Sequence, residues 1–176
     1  RHTSSGRVTG VRRVLFRSDF IGLYDDLSVR GNLRHAAARQ GLRGRAEREA
    51  VEWASAALDL DDLSARPADA LSRGQRQRVA IGMAIAHRPA LLMLDEPASG
   101  LDPEARAQLA ALLRTLRAEL DATLIVSSHI LAELDAYADS VLILEGGRMI
   151  EHAGLHAASA ENWVAIEAAG LNPARL

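Results

Sequence analysis

Hydrophobic positions along this chain follow two rhythms, and the change falls near residue 88. Before it the rhythm is helical. In VRGNLRHAAARQ, Val29, Leu33, Ala36 and Ala37 recur at the spacing of one helix face. Gly41 and Gly44 punctuate, and AEREAVEWASAALDL predicts a second helix with Val51, Ala54 and Leu58 on one face. Pro67 marks a loop. A third helix is predicted from about Gln75 to His87, stopped at Arg88-Pro89 because the residue before a proline disfavours helical backbone.

Beyond that point the apolar runs become short and continuous, as in strands buried within a parallel sheet. ALLMLDEP and ATLIVSSH predict two such strands. Between them, Asp102-Pro103-Glu104 supplies an N-cap, a first-turn proline and an acid at the positive helix end, so LAALLRTLRAEL predicts a helix. ILAELDAYA predicts another helix, SVLILEGGRMIEH a strand, a Gly-Gly turn and a second strand, and ENWVAIEAAGLNPARL a short peripheral helix. Strand–helix alternation of this kind implies an α/β fold with a parallel sheet, preceded by a helical subdomain. The opening VTGVRRVLFRS, with Arg12, Arg13 and Arg17 around Val14, Leu15 and Phe16, reads as a basic arm, an edge strand or a foreign segment.

Composition narrows the classes. At 176 residues the chain can bury roughly 70% of its unfolded surface in one domain. It is 48% hydrophobic and 25% charged, a globular profile, and its net charge of -2 argues against a dedicated nucleic-acid binder. With no cysteine, disulfides and thiolate metal sites are excluded. No apolar run has membrane-spanning length, and the N-terminus lacks a signal-peptide core. All 21 cationic residues are arginine; there is no lysine.

Three stretches carry candidate chemistry, each with a plain alternative. In ALLMLDEP, Asp95 and Glu96 end a buried strand at the sheet edge where ligands of such folds bind. An acid there either holds a metal or caps the next turn. In LSRGQ, Ser72 and Gln75 form a capping box, or else the helix start offers amides and a hydroxyl to a phosphate. His129 follows a strand and is either structural or a phosphate donor.

Taken in order, LSRGQRQR, LLMLDEP, ASGLDP and SSH resemble the ATP-binding cassette of ABC transporters, from about Asp19 to about Gly154. The resemblance implies the core of a phosphate-loop NTPase, with a parallel sheet and an α-helical signature subdomain. LSRGQ resembles the signature motif, with Arg73 where a second glycine is common, and DEPASGLDP resembles Walker B plus the D-loop. By this resemblance Asp95 holds Mg²⁺, Glu96 polarises the attacking water, and His129 contacts the γ-phosphate of ATP. Asp102 lies in the D-loop, while Ser72, Arg73, Gly74 and Gln75 face ATP bound to a partner cassette. Asp19 falls at the Q-loop position, and SDFIGLYDDLSVRGNL resembles the segment of export-type cassettes. The implied partners are a second cassette and transmembrane permease subunits, reached from residues 29–60 at the cytoplasmic membrane face, with no nucleic acid. A chromosome or DNA-repair ATPase would need long coiled-coil heptads, which are absent.

The family's phosphate loop, G-x-x-x-x-G-K-S/T, has no counterpart, because its lysine does not exist in this sequence. The N-terminal β lobe is also missing. Two readings follow: an N-terminally truncated ATPase, or a non-catalytic cassette that lends its signature to a partner. On back-translation RRVLFRS fits an adapter oligonucleotide of short-read sequencing. Residues 1–18 are therefore expected to be non-native, 19–88 the Q-loop remnant and helical subdomain, 89–154 the α/β core, and 155–176 a peripheral tail.

Overall fold

The computed structural model describes residues 13–17, 22–120, 122–130, 134, 138, 140–145, 148–154 and 163–168. A six-stranded sheet runs β1 (Arg13–Arg17), β2 (Leu91–Asp95), β3 (Thr123–Ser127), β6 (Trp163–Ala168), β4 (Ser140–Glu145), β5 (Arg148–Gly154) in spatial order. Its pairings are parallel from β1 through β4, and β5 alone is antiparallel, joined to β4 as the Gly-Gly turn predicts. Leu92 and Leu94 of β2 and Leu124 and Val126 of β3 are buried, whereas alternate residues are half-buried. One face of β2 and β3 is thus fully covered.

One sequence expectation changes here. The stretch expected to form a peripheral tail helix contains β6, which lies inside the sheet, hydrogen-bonded to β3 and β4. Trp163, Val164 and Ile166 suit a strand. Strands β3 and β4 would otherwise face each other with unmade backbone bonds, and that tertiary demand outweighs the helical preference of the surrounding alanines. In the segment expected to be foreign, Arg13–Arg17 pairs with β2 in parallel register, Arg17 opposite Asp95. The helix expected over ILAELDAYA lies largely outside the described residues, although Leu134 is helical and buried.

The helical subdomain comprises α1 (Val29–Arg39), α2 (Gly44–Ala57) and α3 (Arg73–Ile85), with α4 (Pro103–Glu119) between β2 and β3. Ser28 caps α1 by accepting from the Gly31 amide at 3.1 Å. Val29, Leu33 and Ala37 of α1, Val51 and Ala54 of α2, and Val79, Ile81 and Ile85 of α3 enter one core with Leu58 and Leu60. At Gly82 a Cβ would stand 3.0 Å from Leu33 Cδ2, so α1 and α3 approach closely there. Helix α3 begins two residues earlier than predicted, since Ser72 caps it.

Asn32, fully buried, organises the loop ahead of α1. Its side chain accepts from the Tyr24 amide at 2.8 Å and donates to the carbonyls of Tyr24, Leu27 and Ser28 at 3.0 to 3.2 Å. Arg76 of α3 reaches the same loop, pairing with Asp25 at 2.7 Å and donating to the Ala68 carbonyl at 2.7 Å.

Candidate functional site

Strands β2 and β3 end in register, Asp95 opposite Ser127, and this alignment builds the first cluster. The Ser127 hydroxyl donates to Asp95 Oδ1 at 2.6 Å and accepts from the Glu96 amide at 3.0 Å. That amide also lies 3.2 Å from the Ser127 carbonyl. Glu96 has φ of 49°, a left-handed backbone conformation uncommon outside glycine, which turns the chain sharply off β2. Its carboxylate Oε2 lies 2.8 Å from His129 Nδ1, with His129 64% exposed. Where the carboxylate is ionised it only accepts, so Nδ1 carries the proton of that bond.

The second cluster joins the starts of α3 and α4. Ser72 and Gln75 form a complete capping box, the Gln75 amide donating to Ser72 Oγ at 3.3 Å and the Ser72 amide to Gln75 Oε1 at 3.0 Å. Among the described residues, the amides of Arg73 and Gly74 make no hydrogen bond, as expected of a helix's first N–H groups. A Cβ on Gly74 would stand 3.2 Å from Ala105 Cβ, so this glycine lets α3 meet α4. Asp102 caps α4 through the Ala105 amide at 2.9 Å, with Pro103 at the first helical position. Arg73 bridges the clusters by donating to the Ser99 carbonyl at 3.1 Å.

The structure therefore brings Asp95, Glu96 and His129 together, and separately Ser72, Arg73, Gly74, Gln75 and Asp102. Asp19 lies outside the described residues. Sequence reasoning missed three contributors. Ser127 was visible only as a neighbour of His129, because its link to Asp95 depends on strand register. Buried Gln77 donates to the Pro97 carbonyl at 2.6 Å, and a polar residue on the inward face of α3 was the available signal. The Arg73–Ser99 bond needs the left-handed turn at Gly100, φ 68°.

Mg²⁺ is held by one or two carboxylates, with water and phosphate oxygens completing the shell. Asp95 at a sheet edge, with Glu96 adjoining, fits that requirement, although among the described residues no group of three His, Cys, Asp or Glu is placed to hold a metal ion by itself. ATP's own phosphate cradle does not fit: no lysine is available to reach the phosphates.

A parallel sheet with an acidic pair at its carboxyl edge, beside two capped helix starts, defines an α/β protein of the kind that binds ligands at the carboxyl ends of its strands. The model of the ABC transporter family matches residues 7–99, and the chain belongs to that family, whose ATP-binding members are ATPases. The match begins inside the segment expected to be foreign. The chain is 40% identical over 128 residues to the molybdenum import ATP-binding protein ModC of Rhodobacter capsulatus, covering 72% of this chain and 34% of that protein. It is 37% identical over 147 residues to the sn-glycerol-3-phosphate import ATP-binding protein UgpC of Chromohalobacter salexigens, covering 81% and 40%. The structure of CbiO1 from Clostridium perfringens, part of the transporter complex CbiONQ, superposes with a TM-score of 0.75 at 28% identity, covering 82% of this chain and 57% of that one. The chain thus spans about a third to two fifths of these curated relatives. Both curated relatives named here are importers, so the export-type expectation finds no support.

Proposed function

We propose that this chain supplies the signature, Walker B, D-loop and switch elements of the ATP-binding subunit of an ABC importer. The linked set Asp95, Ser127, Glu96 and His129 carries this reading, since it gathers a carboxylate for Mg²⁺ and a carboxylate–imidazole pair for a water at one sheet edge. Asp95 is the residue for Mg²⁺, which when bound neutralises phosphate charge. Ser127 fixes the orientation of that carboxylate and of the Glu96 backbone. Glu96 orients the attacking water and takes its proton, and His129 Nδ1–H steadies the glutamate.

His129 donates to a γ-phosphate through Nε2 only when both ring nitrogens are protonated or when it releases Glu96. Ser72, Arg73, Gly74 and Gln75 present the helix start of α3 to ATP on a second cassette, which Asp102 adjoins. The partners in this reading are that second cassette and membrane permease subunits, with the chain peripheral on the cytoplasmic face. Among the described residues no helix is long and apolar enough to cross a membrane.

A second reading is a cassette without its own hydrolytic site that lends only its signature to a partner. Fusing the upstream lobe of a complete relative to this chain and assaying ATPase turnover, alone and beside a complete partner cassette, separates the two. The first reading expects turnover that falls about 10²–10³-fold in Glu96→Gln. Turnover indifferent to Glu96→Gln but lost in Gly74→Asp would establish the second. Indifference to both substitutions would sink the assignment.

A further inference from the structure

The turn that leads from Glu96 towards Asp102 satisfies only alternate carbonyls from within. The Ser99 amide donates to the Glu96 carbonyl at 3.0 Å, and the Leu101 amide to the Ala98 carbonyl at 3.2 Å. The carbonyls of Pro97 and Ser99 are met from α3 instead. Gln77 Nε2 donates to Pro97 at 2.6 Å, and Arg73 Nη2 to Ser99 at 3.1 Å. Residues 73 and 77 stand four apart on one face of α3, so a single helix face grips the turn at two points.

Each gripping residue carries a cost that its contact offsets. Gln77 is buried, where an amide side chain without a partner is unfavourable. Arg73 lies in the first turn of α3, the positive end of the helix dipole, and no acid is present there. Its guanidinium packs against Gly100, at a position where a Cβ would collide with it. Glu96 is itself left-handed, a backbone state that persists only where the surroundings hold it. They hold it from two sides: Ser127 on β3 binds its amide, and Gln77 on α3 binds the carbonyl of the next residue.

We propose that Gln77 and Arg73 are positioning residues for Glu96: they fasten the turn beyond the carboxylate to α3, so that Glu96 holds its aim only while that turn is clamped. The inference rests on the ATPase reading, in which Glu96 orients the attacking water. Gln77 does not need to touch that water, because it acts through the Pro97 carbonyl. Arg73 acts two residues further along, at Ser99. Misplacing a catalytic group by about 1 Å can cost about a hundredfold in rate, so a bond to the residue after Glu96 is enough to govern turnover.

Two measurements test this. In the full chain 1–176, hydrogen exchange is read at the Ser99 and Leu101 amides beside the melting midpoint. Gln77→Leu and Arg73→Ala should each speed exchange there about tenfold, the factor that one lost hydrogen bond supplies. Ser28→Ala, which uncaps α1, should lower the midpoint without that local change. Exchange no faster than in Ser28→Ala overturns the proposal, and Arg73, being exposed, keeps this outcome readable should Gln77→Leu fail to fold. The second measurement uses the chain fused to the upstream lobe of a complete relative, beside a complete partner cassette. There Gln77→Leu should lower kcat about tenfold to a hundredfold with KM for ATP unchanged, and lower it no further in a Glu96→Gln background. An equal fall in that background means that Gln77 serves stability alone, and the positioning role is lost. Faster exchange in the full chain combined with no turnover in the fused one refutes the ATPase reading, and the role in catalysis with it, while the two bonds to the turn stand.

Discussion

Glycine at position 100 and arginine at position 73 illustrate how single residues shape this site. A Cβ at Gly100 would lie 2.5 Å from the Arg73 guanidinium, and the backbone there is left-handed. Gly100→Ala is expected to cost about 1–3 kcal/mol in a urea melt, combining strain with loss of the Arg73–Ser99 bond. In an Arg73→Ala background the same change should cost measurably less, since only backbone strain remains. Additive costs would show that the two residues do not share this contact. Ser127→Ala removes the hydroxyl between Asp95 and the Glu96 amide, with an expected loss of about 1–3 kcal/mol; unchanged stability would contradict the network. That Asp95, Glu96 and His129 lie together where two neighbouring strands end was legible from the apolar runs that precede them. Ser127 was not, because a hydroxyl one residue before another serine has no meaning until two strands are set in register.

At the scale of elements, caps and one buried amide hold the helical subdomain together. Asn32→Ala strands the Tyr24 amide and takes one donor from the carbonyls of Tyr24 and Leu27, which keep the Leu27 and Ala68 amides, and should cost about 1–3 kcal/mol. Asn32→Asp should not rescue it, because a carboxylate faces those carbonyls without a donor; recovery of the melting midpoint in that variant would count against this account. Ser72→Ala opens the capping box of α3 at an expected cost of about 1 kcal/mol. Helices α1 to α4 were readable because their apolar positions repeat with a helical period over many residues. The strands β2, β3 and β4 were readable as unbroken apolar runs between turn signals. Strand β6 was hidden: six residues in an alanine-rich context fit either period, and only the vacancy between β3 and β4 decides.

On the scale of the whole molecule, the sheet gathers Asp95, Glu96 and His129 at the carboxyl ends of β2 and β3, while among the described residues its rims are β1 and β5. Purified chain 1–176 is expected to turn over ATP no faster than its Glu96→Gln variant, since it has no lysine for the phosphates. Truncation after residue 160 should remove β6 and yield aggregates by size-exclusion chromatography, whereas a monodisperse truncated chain would show β6 to be dispensable. The position of β6 also sets the order of events during synthesis. Strands β3 and β4 leave the ribosome before the strand that must lie between them, so the sheet closes only after residue 168 emerges. Until then the nascent chain holds two open strand edges, and its folding rate is governed by a late insertion rather than by its fast local helices.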